Sequence, residues 1–579
     1  MATRTVANGF THAGVLNLDS LSAHQANFNV TNGEILIISG GSINVNTGAG
    51  GPRSLGASFT NNGAINVNTD AFFNKTNGVV TNNNQPNIAG GATLTYNSGN
   101  ETFDLNDGGA IAVTGDFHIT SGTFNFNGGN LTRNSVEITG GKLNMGPGVG
   151  SGTVLMRNST TYSGDVDPGQ TISVIATGTT GSMTAAEGYT NNGLINITST
   201  SVNASNLNVT LGELVNNATV NIEPGGGGGR SLAASFTNNS VMNINTDAGF
   251  NKTNGIFNNN SQINIVPGAT LIYNSSNETF NQNAGGTVEV LGGFEVTNGV
   301  FNLNVGSLTG NSVEIAGGTL NMGPGELHGS VILRGSCLYR GDLDPNMTVI
   351  VKAVGTTATF TAANGFAVND VLDVTSDTVN TVNVAVTNGN LVNEGLINIE
   401  PGTGGTRSLA LNLINNGIVN INTDTTMDKT NGVFANHSLL TIAAGKTLSY
   451  NAASETFRQA AGVLDVQGDF SGTSGTFELF DGSITGNRPV LGTIRLSIDP
   501  NSTAIGNVVT RSVSVLTGDV KAGQVIDIES SGATSTLTST NGFINGGTIT
   551  LDSVTTHTSQ LVVSNDAFTN AGQFIVNPG

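Results

Sequence analysis

Along most of the chain, apolar and polar residues alternate with a period of two over runs of three to five residues. The runs end at Asn-Gly, Gly-Gly or Asn-Asn. FTNNGAINV from Phe59, YTNNGLINI from Tyr189 and FTNNSVMNI from Phe236 share this form, as do VEITGGKLNM from Val136 and VEIAGGTLNM from Val313. Alternation of this kind turns Ile65 and Val67 to one side and Asn66 and Asn68 to the other. It predicts short strands with a single buried face. Gly and Asn at the joins supply the positive φ that a tight corner demands. Apolar spacing of the helical kind is almost absent.

A coil of two or three such strands cannot bury its apolar face alone, whereas stacked coils share a continuous core. Equivalent strands would then pair in parallel at about 4.8 Å per coil. An array of β-sandwiches would need longer strands and hairpin turns every 8–12 residues or so. The expected fold is therefore all-β: a right-handed parallel β-helix, or β-solenoid. The strand motif recurs every 18–25 residues or so, which predicts coils of about 20 residues.

A longer period lies over the shorter one. RSLGASFTNN begins at Arg53, RSLAASFTNN at Arg230 and RSLALNLINN at Arg407, the two intervals being equal. Asp70, Asp247 and Asp424 keep the register, as do Lys75, Lys252 and Lys429. So do Tyr96, Tyr273 and Tyr450, and Glu101, Glu278 and Glu455. The chain thus reads as one continuous solenoid with a 177-residue tandem super-repeat: a partial repeat over 1–52, then repeats over 53–229, 230–406 and 407–579. About nine coils would fill one period. Val113, Val290 and Val466, with Phe59, Phe236 and Leu413, are expected in the core. Asn62, Asn239 and Asn416 are expected at corners, in amide ladders between neighbouring coils.

Composition narrows the function classes. Gly plus Pro stays below the share typical of disordered low-complexity chains, and the alternation itself speaks for order. The formal net charge of −20 argues against nucleic acid and against anionic membrane surfaces. No apolar run approaches the roughly 18 residues of a membrane-spanning helix. MATRTVANGF lacks the apolar segment of a secretory leader, so none is expected. A single cysteine, Cys337, permits no disulfide framework and reads as packed.

The search for chemistry finds little. None of the six histidines recurs at the long period, and no pair has metal-ligand spacing. The acidic pairs Asp165/Asp167 and Asp342/Asp344 read as turns, since the third period has Asp519 and Lys521 there. The glycine run Gly225–Gly229 precedes no helix and lacks the Lys-Ser/Thr ending of a phosphate loop, so it reads as a flexible corner. The strongest polar candidates are the recurring Arg53, Arg230 and Arg407, Asp70, Asp247 and Asp424, Lys75, Lys252 and Lys429, and Glu101, Glu278 and Glu455. They are expected to pair with one another or to fix an irregular loop, with an intermolecular contact as the second reading. Three copies of one active site along a chain would be unusual. No catalytic residue, metal site or cofactor is expected.

The NNGxINV and GGTLNM corners and their spacing resemble right-handed parallel β-helices of the filamentous-haemagglutinin and autotransporter-passenger type. That resemblance implies an extracellular or cell-surface location and a non-catalytic structural or adhesive fibre, acting in surface attachment, cell–cell contact or matrix formation. The same architecture also carries polysaccharide lyases, hydrolases and phage tail spikes. That alternative requires a non-repeated cleft of carboxylates and aromatics. An ice-binding solenoid would need Thr-x-Thr ranks at coil period, which are missing. The chain begins within one period and shows no cap pattern, so copies are expected to stack end to end or to form part of a longer array. The expected partners are self and surface glycans or a host or neighbouring cell surface, without nucleic acid or membrane insertion.

Overall fold

The computed structural model describes residues 1–452 and 454–577. Pro578 and Gly579, which carry the sequence match at the end of the third period, lie outside them. Every regular element among the described residues is a β-strand, and half of these strands are four residues long. The strands pair in parallel, in a β-solenoid of about 26 turns. The chain divides into two compact units, Met1–Glu295 and Val296–Gly579, each a stack of coils.

Strand length follows from the coil geometry. A strand such as Ala64–Val67 alternates half-buried and buried side chains, which places Ile65 and Val67 inside. The corner glycines and asparagines then turn the chain. In the first unit the step from one coil to the next is short at Arg53↔Ala71 and longer at Ile195↔Val220. With about 26 turns in the whole chain, the average coil is slightly longer than the motif spacing predicts. The loops and wider corners account for the excess.

The register in the first unit shows how the long period sits on the coil. From Arg53 the ladder climbs through Ala71, Leu94 and Phe117 and reaches Val220 in eight steps, then passes to Met242. Arg230 is not on that ladder. It pairs with Ser205, and the stack of strands it belongs to descends to the strand segment that holds Phe59, on the next face of the coil. The interval from Arg53 to Arg230 is thus about eight coils plus one face, not nine coils. Copies of one motif in this unit face different directions.

Aromatic rings fill the interior at coil spacing. In the first unit Phe103 lies 5.6 Å from Tyr96, 5.3 Å from Phe117 and 5.7 Å from Phe124, centroid to centroid. In the second unit Phe457 stacks on Phe434 at 5.3 Å and on Phe477 at 5.4 Å, along the ladder that their strands form. These distances suit offset and edge contacts. The residues expected in the core are there: Phe59, Val113, Phe236, Val290, Leu413 and Val466 are all buried.

Two amide ladders accompany the core. The expected outer one exists. Asn239 donates to Asn217 at 3.0 Å and accepts from Asn260 at 2.8 Å, and Asn62 accepts from Asn83 at 3.0 Å. In the second unit Asn416 donates instead to the Glu394 carboxylate at 2.7 Å. The other ladder runs inside the wall. Asn191, Asn216, Asn238 and Asn259 donate in turn to the next, ending on Gln282, at 2.8–2.9 Å. Asn393, Asn415, Asn436 and Gln459 repeat it in the second unit.

Candidate functional site

The recurring polar residues do not converge on a site. Each is taken up by the backbone of a neighbouring coil or loop. Arg407 is buried, and its Nη1 donates to the carbonyls of Gly404 and Gly405 at 3.0 and 2.9 Å. Its Nη2 donates to those of Glu400 and Pro401, both at 2.8 Å. Arg230 holds Glu223, Gly227 and Gly228 in the same manner, and Arg53 holds Asn46, Thr47, Gly50 and Gly51. Of the two expected roles, fixing an irregular loop is the one these arginines fill. They form no ion pair with the recurring Asp or Glu residues.

This corrects the reading of the glycine run. Gly225–Gly229 is a corner packed against the preceding loop and clamped by Arg230. A Cβ added at Gly225 would overlap the Ser199 carbonyl, and one at Gly402 would overlap that of Ser376. Glycine stands there because two backbones touch.

Asp70, Asp247 and Asp424 are exposed, and each accepts a backbone N–H from the following coil, at Thr93, Thr270 and Thr447, at 2.9–3.0 Å. Lys252 Nζ reaches back two coils to the carbonyls of Val209 and Thr210, at 2.7 and 2.8 Å. Lys75 does so to Val30 and Thr31, and Lys429 to Val386 and Thr387. Glu101, Glu278 and Glu455 are buried and accept the N–H groups of Ser98, Ser275 and Ala452 at 2.9–3.0 Å. Burial pushes the carboxyls of Glu101 and Glu278 up to about 7, against the lowering effect of backbone donors at Ser98 and Lys75, and at Ser275 and Lys252. Burial raises Glu455 as well.

The acidic pairs act at turns. Asp165, Asp342 and Asp519 each accept the N–H of a residue one coil on: Thr190, Ala367 and Ile544. Cys337 is buried, its thiol donating to the carbonyls of Ile315 and Arg334. Burial pushes that thiol up, which suits a packed rather than a reactive cysteine. Among the described residues, no three His, Cys, Asp or Glu side chains gather as a metal-holding group.

The polar groups that do gather were not legible as clusters in the sequence. In the first unit an open groove of about 410 Å³ is lined by Asp116, His118, Arg133, Glu137 and Arg157, with Ser135 and Thr153 beside them. Register brings them together. His118 pairs with Glu137 across adjacent strands, and Thr139 with Arg157 across the next pair. Glu137 lies 3.8 Å from His118 Nε2 and 3.0 Å from Arg157 Nη1. In the second unit Arg511 donates to Glu529 at 3.1 Å through Nε, and Arg488 engages Asp527 and, at 3.5 Å, Glu529. Residues 39 apart in the chain meet there because coil stacking makes them neighbours. Only a known coil length would have revealed either cluster.

Comparison with family models, with curated proteins and with solved structures returned no match.

Proposed function

We propose that the chain is a non-catalytic structural or adhesive fibre protein of the cell surface or extracellular space, acting in surface attachment, cell–cell contact or matrix formation. The observation that carries this reading is the fate of the recurring polar groups. The arginines, lysines, aspartates and glutamates of the long period are engaged by backbone carbonyls and N–H groups between and within coils. They hold the stack together and are not assembled into a nucleophile, an acid–base pair or an oxyanion site. What the fold multiplies is lateral surface, presented on more than one face in the first unit by the shift between Arg53 and Arg230. Parallel ladders also extend by coil addition, which supports self-association as one partner mode. Surface glycans or a neighbouring cell surface are the other partners proposed.

The test is attachment. Inert beads coated with the purified chain should be retained on glycan-coated or cell-covered surfaces well above beads coated with an unrelated protein of equal net charge. Retention equal to that control rejects the reading.

A further inference from the structure

The groove of the first unit joins a Glu137–Arg157 pair, which the second period repeats as Glu314–Arg334, to an Arg133 that no other period repeats. Resting on the adhesive reading above, we infer that this groove is a binding subsite for an acidic saccharide, with Arg133 as the residue that takes the sugar carboxylate.

Arg133 carries the argument. Its φ is +74°, in the left-handed region that side chains rarely adopt. The aligned positions of the next two periods hold Gly310 and Gly486, with φ of +82° and +80°. The corner therefore calls for glycine, and the first period alone places a long cation there. A strained residue of this kind is retained where it does something, and a strained backbone points to function. No structural task holds it. Arg133 is exposed, its side chain makes one hydrogen bond, from Nη1 to Thr114 Oγ1 at 3.1 Å, and no carboxylate lies within ion-pair distance among the described residues. Arg157, by contrast, is engaged by Glu137.

The neighbouring positions differ between periods as well. Asp116 and His118 of the first period correspond to Gly293 and Glu295 of the second. Relative to the second period the groove thus gains a guanidinium with no carboxylate partner and an imidazole, and its carboxylate stands at Asp116 instead of at the position of Glu295. A planar guanidinium matches a carboxylate with two parallel hydrogen bonds. Asp116 can accept from sugar hydroxyls, and Ser135 and Thr153 line the same groove. A sugar unit bearing one carboxylate among several hydroxyls, alone or within an oligomer, fits this set. A neutral sugar would leave Arg133 without a charged partner.

Isothermal titration of the full chain with trigalacturonate, galactotriose and a sulfated galactose trisaccharide tests the assignment. Trigalacturonate should bind at one site per chain and at least tenfold more tightly than galactotriose. Arg133→Gly should weaken it at least tenfold while leaving the thermal midpoint unchanged or raised, because glycine relieves the corner. Arg133→Lys should keep the charge and lose most of the affinity. Equal affinity for the neutral sugar, tighter binding of the sulfated one, more than one site, or an affinity unmoved by Arg133→Gly would each overturn the inference. If trigalacturonate fails to bind while coated beads still adhere, the groove assignment falls and the adhesive reading stands. If the beads fail too, both fall.

Discussion

Phe236 has no exposed surface and lies 4.8 Å from the ring of Phe257, in a column that continues to Phe280. Replacement by Ala leaves a void that Phe257 on one side and Leu214 on the other cannot close without breaking their own contacts. Phe236→Ala should cost about 3–5 kcal/mol, read from the denaturant midpoint. The buried glutamates make a second prediction. Glu101 and Glu278 titrate at about 7 when folded, against 4.5 for the ordinary carboxyl. The folded chain then binds more protons than the unfolded chain between those values, so stability falls as the pH rises from about 4.5 to about 7. Glu101→Gln with Glu278→Gln should flatten that slope in a series of thermal melts. An unchanged slope would mean that other groups set it. The pattern foretold the burial of Phe236, because an apolar residue at every second position has one place to go. It could not foretell that Glu101 is buried, since its acceptor bond to Ser98 belongs to a turn and not to an alternating run.

At the scale of elements, the Asn-Asn pair at each corner divides its labour. Asn239 faces outward in the exposed ladder, while Asn238 is buried and donates to Asn259 at 2.9 Å and to the Gln262 carbonyl at 3.0 Å. Asn238→Leu strands buried amides on both sides, a loss of about 1–3 kcal/mol for each group left unpaired. Asn239→Leu loses solvent-exposed bonds and should cost under about 1 kcal/mol. Equal costs for the two would contradict the inner ladder. The sequence identified Asn239 and its equivalents as corner residues but passed over Asn238. A polar residue in an inward register looks like the end of a strand until a neighbour one coil away supplies its partner. The arginine corner gives a parallel case. Arg407→Met removes the donors to Gly404, Gly405, Glu400 and Pro401. Faster proteolysis between residues 400 and 406 is expected, with the strand Arg407–Asn415 still protected. Here the recurrence of Arg was legible at once. Its role was not, because the glycines beside it suggested freedom where the structure has close backbone contact.

For the molecule as a whole, strand type, parallel stacking and the long period were all present in the order of residues. The one-face shift between Arg53 and Arg230 in the first unit was not. It arises because the long period is not a whole number of coils, and short motifs do not count coils. That shift gives the first unit its varied faces, and Arg133 is a local departure from the repeat, where the other periods have Gly310 and Gly486. The central claim is that this surface holds its partners without altering them. It is tested most directly by incubating the purified chain with polygalacturonate, and with other surface polysaccharides that it retains, and following polymer length over time by size-exclusion chromatography. The account predicts retention of protein on polymer whose length distribution stays fixed. Shortening of the polymer that scales with protein concentration would contradict it and make the chain a polysaccharide-cleaving enzyme.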